Sequence, residues 1–297
     1  MEGSDVRRAV EAAKSAVADS GMHADDAVVL HNSNRIAVHL TPCDVLARVG
    51  PLSHEESLDF ELEVGRQLAG TDAPVGGPDP RTDPRVFVRD EFAMTLWTYC
   101  QPVPPSELES AEYADSLARL HAGLREIEVQ SPHFTDRVAE ALTLVGDVDL
   151  TPELREADRA LLNGALHRLS TTITDRGAAE QVLHGEPHPG NVLRTRDGLL
   201  FIDLQTCCRG PVEFDIAHAL LPHENGRGLT VERLREHYPG ADGAAIEQSR
   251  ILIWAMITAW RWDKDDELPN RDHWRLEGLN QLRQALDRAG LDVTGDD

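Results

Sequence analysis

Residues 183–217, LHGEPHPGNVLRTRDGLLFIDLQTCCRGPVEFDIA, restrict what this chain can fold into more than any other stretch. They open with a loop carrying His184, Glu186, His188 and Asn191. Pro187 and Pro189 bar a helix there, and Gly185 and Gly190 permit unusual backbone angles. Val192–Arg194 and Leu199–Ile202 then flank Arg196-Asp197-Gly198. An Asp-Gly pair between apolar runs predicts a tight hairpin, because that turn needs positive φ. The returning strand ends at Asp203, so the hairpin brings Asn191 at its entrance beside Asp203 at its exit. A carboxamide oxygen next to a carboxylate is a suitable pair of hard ligands for Mg²⁺. Glu186, upstream in the same loop, is a candidate proton acceptor.

The rest of the chain divides in two. Residues 5–20 carry Val6, Val10, Ala13 and Val17 at helical spacing. Short strands follow at Ala27–His31, Arg35–Leu40 and Asp44–Val49. Leu46 and Arg48 share one face of the third, because side chains alternate along a strand. Ser53-His54-Glu55-Glu56 reads as a capping box, with Ser53 as the cap of a helix bearing Phe60, Val64 and Leu68 on one stripe. Glu61 sits on or beside the inward face of that helix, where a carboxylate needs a cationic partner. Arg85–Arg89 and Phe92–Tyr99 predict two more strands, and Gln101-Pro102-Val103-Pro104-Pro105 breaks regular structure. After it, 106–126, 135–144, 152–174, 230–237, 243–262 and 271–289 carry helical stripes.

Composition excludes several classes. The net charge of −23 argues against a nucleic-acid binder, which needs a basic surface to displace counterions. It permits a cationic substrate drawn by long-range attraction, although solubility accounts for it equally simply. The four cysteines show no Cys-x-x-Cys spacing, and the adjacent pair Cys207 and Cys208 reads as two small buried thiols. Neither a signal peptide nor an apolar run long enough to span a membrane is visible, so a cytoplasmic protein with no membrane partner is expected. A Walker-type phosphate loop is excluded, because neither Lys14 nor Lys264, the only lysines, follows a glycine. His184-Gly-Glu-Pro-His188 superficially suggests a zinc hydrolase, but the glycine and prolines forbid the helix that would set both rings on one face.

The 183–217 segment resembles the catalytic core of aminoglycoside phosphotransferases and their choline-kinase-like relatives, written His-Gly-Asp-x-x-x-x-Asn, then Ile-Asp, then Gly-Pro-x-x-x-Asp. It is also similar to the catalytic loop of protein kinases. Glu186 to Asn191 keeps the spacing, and Gly210–Asp215 matches the last piece. The resemblance implies an α+β, protein-kinase-like, two-lobed fold. Residues 1–100 would form a nucleotide-binding lobe with a five-stranded antiparallel sheet and one helix. Residues 101–105 would be the hinge, and 106–297 a mostly helical catalytic and substrate-binding lobe with a short hairpin at the site.

The resemblance also implies roles. Glu186 would orient the acceptor hydroxyl and take its proton. His188, in the place of a loop lysine, would touch the transferring phosphate. Asn191 and Asp203 would hold Mg²⁺ on ATP, with GTP as the alternative nucleotide. His184 would brace the loop and Asp215 would tie its backbone. Arg48 would bind phosphate with Glu61 as its ion-pair partner, and Thr95, Leu96, Trp97 and Thr98 would form the adenine hinge. Two departures stand out: Glu186 replaces Asp, and Arg48 replaces lysine, with no displaced lysine nearby.

The expected activity is transfer of a γ-phosphate to a small-molecule hydroxyl, on an aminoglycoside, another amino-bearing antibiotic, a sugar or a choline-like alcohol. The alternative is a nucleotide-binding regulatory module without turnover. The acidic run Asp263, Asp265, Asp266 and Glu267 reads either as a receiver of ammonium groups or as a solvated loop. His121, His218 and His223 read as packed histidines, and Trp254, Trp260, Trp262 and Trp274 as core or pocket wall.

Overall fold

In the computed structural model, residues 1, 3–104, 107–221, 229–268 and 270–293 are described. His223 and Pro105, the last residue of the expected hinge, lie outside them. The described residues contain nine α-helices and nine strands, and they group into two compact units. The first comprises residues 1–130 and 189–207, the second 131–188 and 208–297. No helix among the described residues is long and apolar enough to cross a membrane.

The first unit is built on a five-stranded antiparallel sheet of order β1-β2-β3-β5-β4. Its strands are β1 (Ala24–Asn32), β2 (Ile36–Pro42), β3 (Val45–Pro51), β4 (Phe87–Arg89) and β5 (Phe92–Thr98). Strict alternation on β2 and β3 buries Ile36, Val38, Leu40, Val45, Ala47 and Val49 on one face. That face packs on α1 (Gly3–Asp19) through Ala9, Ala12, Ala13, Ala16 and Val17. The small alanines let the helix lie close to the sheet, and each buried Val or Leu contributes on the order of 1.5–3 kcal/mol.

The opposite face carries Arg48 and receives α2 (Glu55–Leu68). Gly65 of α2 sets that approach, since a Cβ there would come within 2.5 Å of the Trp97 ring on β5. Glu61 lies one turn earlier, so the same close packing brings it to Arg48. The capping box expected at Ser53 does not form. Leu52–His54 is a 3-10 turn behind Pro51, α2 begins at Glu55, and its cap is His54 without a side-chain hydrogen bond.

Also within this unit, α3 (Ser110–Leu124) packs on the ribbon of β7 (Val192–Thr195) and β8 (Gly198–Phe201). Arg194 donates to both oxygens of Glu112 at 2.9 and 2.8 Å, and its carbonyl accepts the Val103 N–H at 2.9 Å. Phe201 N–H donates to Pro74 O at 2.8 Å.

The second unit is mainly helical: α4 (Phe134–Gly146), α5 (Glu156–Asp175), α6 (Val212–Ala219), α7 (Val231–His237), α8 (Gly243–Arg261) and α9 (Arg271–Ala289). The largely buried α8 packs against α4, α5, α6 and α9. One short antiparallel pair joins β6 (Glu180–Leu183) to β9 (Cys208–Pro211). Gly210 keeps β9 tight against α4, because a Cβ there would come within 2.9 Å of Phe134. Trp262 is buried, Trp254 and Trp260 are half-buried, and Trp274 is 47% exposed, so of the two readings, core or pocket wall, the core one fails for Trp274. His121 and His218 are buried.

Candidate active site

The first unit holds three charged side chains around one wholly buried carboxylate. Glu61 accepts from Arg48, from Arg35 Nη1 at 3.2 Å and from the Leu204 N–H at 3.1 Å. Arg48 Nη2 also donates to Asp203 Oδ1 at 2.7 Å. Two guanidiniums therefore face two carboxylates. Burial alone would lower the Arg48 pKa, but Glu61 and then Asp203 outweigh it and raise it. Burial pushes Glu61 up, while Arg48, Arg35 and the Leu204 amide pull against that push. A carboxylate with three donors is the arrangement that lets a buried charge persist.

Asp203 sits at φ 71°, in the left-handed region that a non-glycine residue seldom adopts. Such a conformation costs on the order of 1–3 kcal/mol and persists where neighbours over-determine it. Here Glu61 takes the N–H of the next residue and Arg48 takes the Asp203 side chain. In the ribbon Val192 faces Phe201, and the Asn191 carbonyl accepts the Ile202 N–H at 3.0 Å, which puts Asn191 beside the Ile202–Asp203 step. Two oxygen-bearing side chains at adjoining ribbon ends fit a magnesium ion that draws its other ligands from phosphate and water. Among the described residues no cluster of three His, Cys, Asp or Glu side chains forms an all-protein metal cage.

Thr95, Leu96, Trp97 and Thr98 form the end of β5. Thr95 is the register partner of Arg48, and its hydroxyl accepts from Trp97 Nε1 at 2.8 Å. Leu96 O accepts the Asp79 N–H at 3.1 Å, and Thr98 N–H donates to Gly77 O at 3.0 Å. Beyond Thr98, the Tyr99 ring stacks on His39, with centroids 3.5 Å apart.

The second unit holds the other group. The β6–β9 pairing brings the start of α6 beneath the loop at 184–186. Asp215, fully buried, accepts the His184 N–H at 2.8 Å and the Gly185 N–H at 2.9 Å. Gly185 adopts φ 87°, which allows both N–H groups to converge on one carboxylate. His184 Nδ1 in turn accepts the Glu186 N–H at 3.3 Å. The Glu186 side chain, 25% exposed, is paired with Arg137 of α4. Burial alone would raise the Glu186 pKa, but Arg137, and after it His218 and His188, hold it below the usual carboxylate range. His218 is driven the other way, down to about 4, chiefly by burial. Burial likewise pushes the Cys208 thiol up, which makes it an unreactive thiol. In the acidic run, Asp266 pairs with Arg261 at 3.2 Å and accepts the Leu268 N–H at 3.0 Å, while Asp265 and Glu267 are exposed.

Arg35 and Arg137 escaped the sequence reading. Arg35 reads from the sequence only as the first residue of a strand, and it stands just before β2 with nothing to mark it as an ion-pair partner. Arg137 did carry a signal: Phe134, Arg137, Ala141 and Leu144 share one helical stripe, so an arginine stands in an otherwise apolar row.

This architecture, an antiparallel sheet with an ion-paired helix and a helical unit carrying the carboxylate loop, is that of kinase-like phosphotransferases. The sequence matches the APH phosphotransferase enzyme family over residues 28–252, and the chain belongs to that family. It is thus a small-molecule kinase. Among solved structures it is similar to the amicoumacin kinase hAmiN in complex with AMP-PNP, Ca²⁺ and Ami, at 12% identity over 98% of this chain and 99% of that one, TM-score 0.69. It is also similar to the choline kinase LicA from Streptococcus pneumoniae, at 13% identity over 94% and 99%, TM-score 0.64. A third likeness is to the GDP and kanamycin complex of APH(2")-IIia, at 16% identity over 94% and 98%, TM-score 0.62. At these identities the likeness is one of fold. No curated protein sequence matches the chain.

Proposed function

We propose that this enzyme, working in the cytoplasm, moves the γ-phosphoryl group of magnesium-bound ATP to a hydroxyl of a small molecule. The observation that carries the reading is the fixed Arg48–Glu61–Asp203 network at the end of a ribbon that also presents Asn191. Asn191 and Asp203 would hold the magnesium ion, which when bound offsets phosphate charge. Arg48 would bind phosphate oxygens through its fork, with Glu61 fixing its direction. Residues 95–98 would border the base. GTP is the alternative nucleotide.

Glu186 would align the acceptor hydroxyl and take up its proton. Because its pKa is held down, it is ionised at neutral pH and ready to accept a hydrogen bond, but it is a weak base. Orientation is therefore its larger contribution, in keeping with a reaction in which positioning and charge dominate. Asp215 and His184 would keep the loop in shape, and His188 would face the transferring phosphate. The acceptor classes compatible with the family are aminoglycosides, other amino-bearing antibiotics, sugars and choline-like alcohols.

One observation favours a second reading, a nucleotide-binding regulatory module: the carboxylate of Glu186 is already engaged by Arg137. A panel of antibiotics, sugars and small alcohols incubated with ATP and Mg²⁺, read by mass spectrometry for an added phosphate, separates the two. Turnover that disappears in Glu186→Gln supports the enzyme. Nucleotide binding without transfer to any acceptor supports the module.

A further inference from the structure

Arg48 shares the buried carboxylate of the first unit with a second guanidinium, that of Arg35. The β2–β3 register pairs Ala37 with Arg48 and Ile36 with Val49, so Arg35 stands across from Gly50 on the face that carries Arg48. Gly50 makes room for it, since a Cβ there would lie 3.2 Å from Arg35 Cγ. From there the buried side chain reaches α2, where Nη1 donates to Glu61 Oε2 at 3.2 Å and Nη2 bonds the Ser57 hydroxyl. Ser57 and Glu61 are four residues apart on one face of the helix, so one planar guanidinium grips both. The Arg35 carbonyl accepts the Ser33 N–H at 3.0 Å, which closes the β1–β2 turn.

The two oxygens of Glu61 are divided between the arginines. Oε1 takes Arg48 Nη1 and the Leu204 N–H, and Oε2 takes Arg35. Arg48 is committed at its other end to Asp203. In the kinase reading Asp203 serves a metal ion and Arg48 serves phosphate. A metal cation and a guanidinium compete for one carboxylate oxygen, so Nη2 of Arg48 then passes from Asp203 to phosphate while Nη1 stays on Glu61. A wholly buried carboxylate with Arg48 as its sole counter-charge would hold that guanidinium against the phosphate. Arg35 offsets the same carboxylate from its other oxygen.

We infer that Arg35 is a positioning residue for nucleotide binding: it supplies the second counter-charge of Glu61, so that Arg48 can turn one end of its fork to phosphate. The inference rests on the kinase reading and adds to it a residue outside the Arg48–Glu61 pair. It also suits the arginine at position 48. A lysine ammonium is a point charge, whereas the fork of Arg48 bridges two carboxylates and needs a second cation if it is to leave one of them.

The test compares Arg35→Gln, which keeps a donor but loses the charge, with Arg35→Lys, which keeps the charge but loses the fork. Calorimetry measures AMP-PNP binding with Mg²⁺, and urea unfolding measures stability. Titrations are run in trimethylamine N-oxide, which favours the folded state of each variant, and circular dichroism confirms it. Both variants lose the grip on Ser57, so both should unfold at lower urea than the parent. Affinity should separate them. Arg35→Gln should weaken Mg·AMP-PNP binding by about tenfold or more, while Arg35→Lys stays within about threefold of the parent. Parental affinity in Arg35→Gln overturns the inference. So does an equal loss in both variants, because affinity would then follow the fold and not the charge. A parent protein that binds no Mg·AMP-PNP overturns the kinase reading itself, and the inference with it.

Discussion

Two glutamate–arginine pairs, one in each unit, show how the same chemistry is put to different ends. Glu61 is wholly enclosed and meets two guanidiniums and a backbone N–H, with nothing left to offer a ligand. Glu186 is a quarter exposed, pairs with Arg137, and rests on a loop braced from below by Asp215. The first is a fixed point from which Arg48 and the Asp203–Leu204 step take their directions. The second stands partly open to solvent. Enclosure separates the two: a carboxylate sealed from solvent can only fix its neighbours, whereas one that keeps solvent access can meet a ligand.

The contrast can be broken by mutation. Glu61→Gln deprives buried Arg35 of its ion pair and leaves Arg48 paired with Asp203, so the fold should lose about 3–5 kcal/mol in urea unfolding. Glu186→Gln should cost about 1–3 kcal/mol, less than Glu61→Gln, because its pair keeps some contact with water. Equal effects would erase the distinction.

A smaller effect sharpens the second site. The buried His218 has a pKa of about 4 against an ordinary 6.5. Between those values the unfolded chain takes up a proton that the folded chain refuses. Stability from this group is therefore complete above about pH 6.5 and falls as pH drops toward 4, by about 3 kcal/mol at most. His218→Gln should flatten that part of the stability–pH curve. A curve unchanged in the variant means that His218 is not held neutral.

The mildest change is Arg48→Lys. Lysine keeps the charge but loses the fork that spans Glu61 and Asp203. Turnover should stay within about tenfold of the parent. A loss of about a hundredfold or more would show that the bridge between the two carboxylates is itself required.

What the sequence made legible was local. The Asp-Gly hairpin put Asn191 near Asp203, and strand alternation put Arg48 with Leu46 on one face of the third strand. What it hid depended on long reach or short elements. Arg137 meets a residue 49 positions later, and only its intrusion into an apolar stripe hinted at burial. The β9 strand has four residues, and α6 has Glu213 to Ala219 all buried, so neither shows the one-sided pattern that reveals an element. The Ser53 cap failed for a different reason. Pro51 and the 3-10 turn behind it delay the helix by one residue, and a cap motif states a chemistry without fixing its register.

The central claim is a division of labour: Asp203 with Asn191 for the metal nucleotide, Glu186 for the acceptor. Calorimetric titration of AMP-PNP with and without Mg²⁺, beside turnover assays, tests it in the parent, Asp203→Ala and Glu186→Gln. Glu186→Gln should bind nucleotide as the parent does while turnover falls by about a hundredfold or more. Asp203→Ala should lose the magnesium dependence of binding. Undiminished turnover in Glu186→Gln, or metal-dependent binding that survives in Asp203→Ala, would contradict the account.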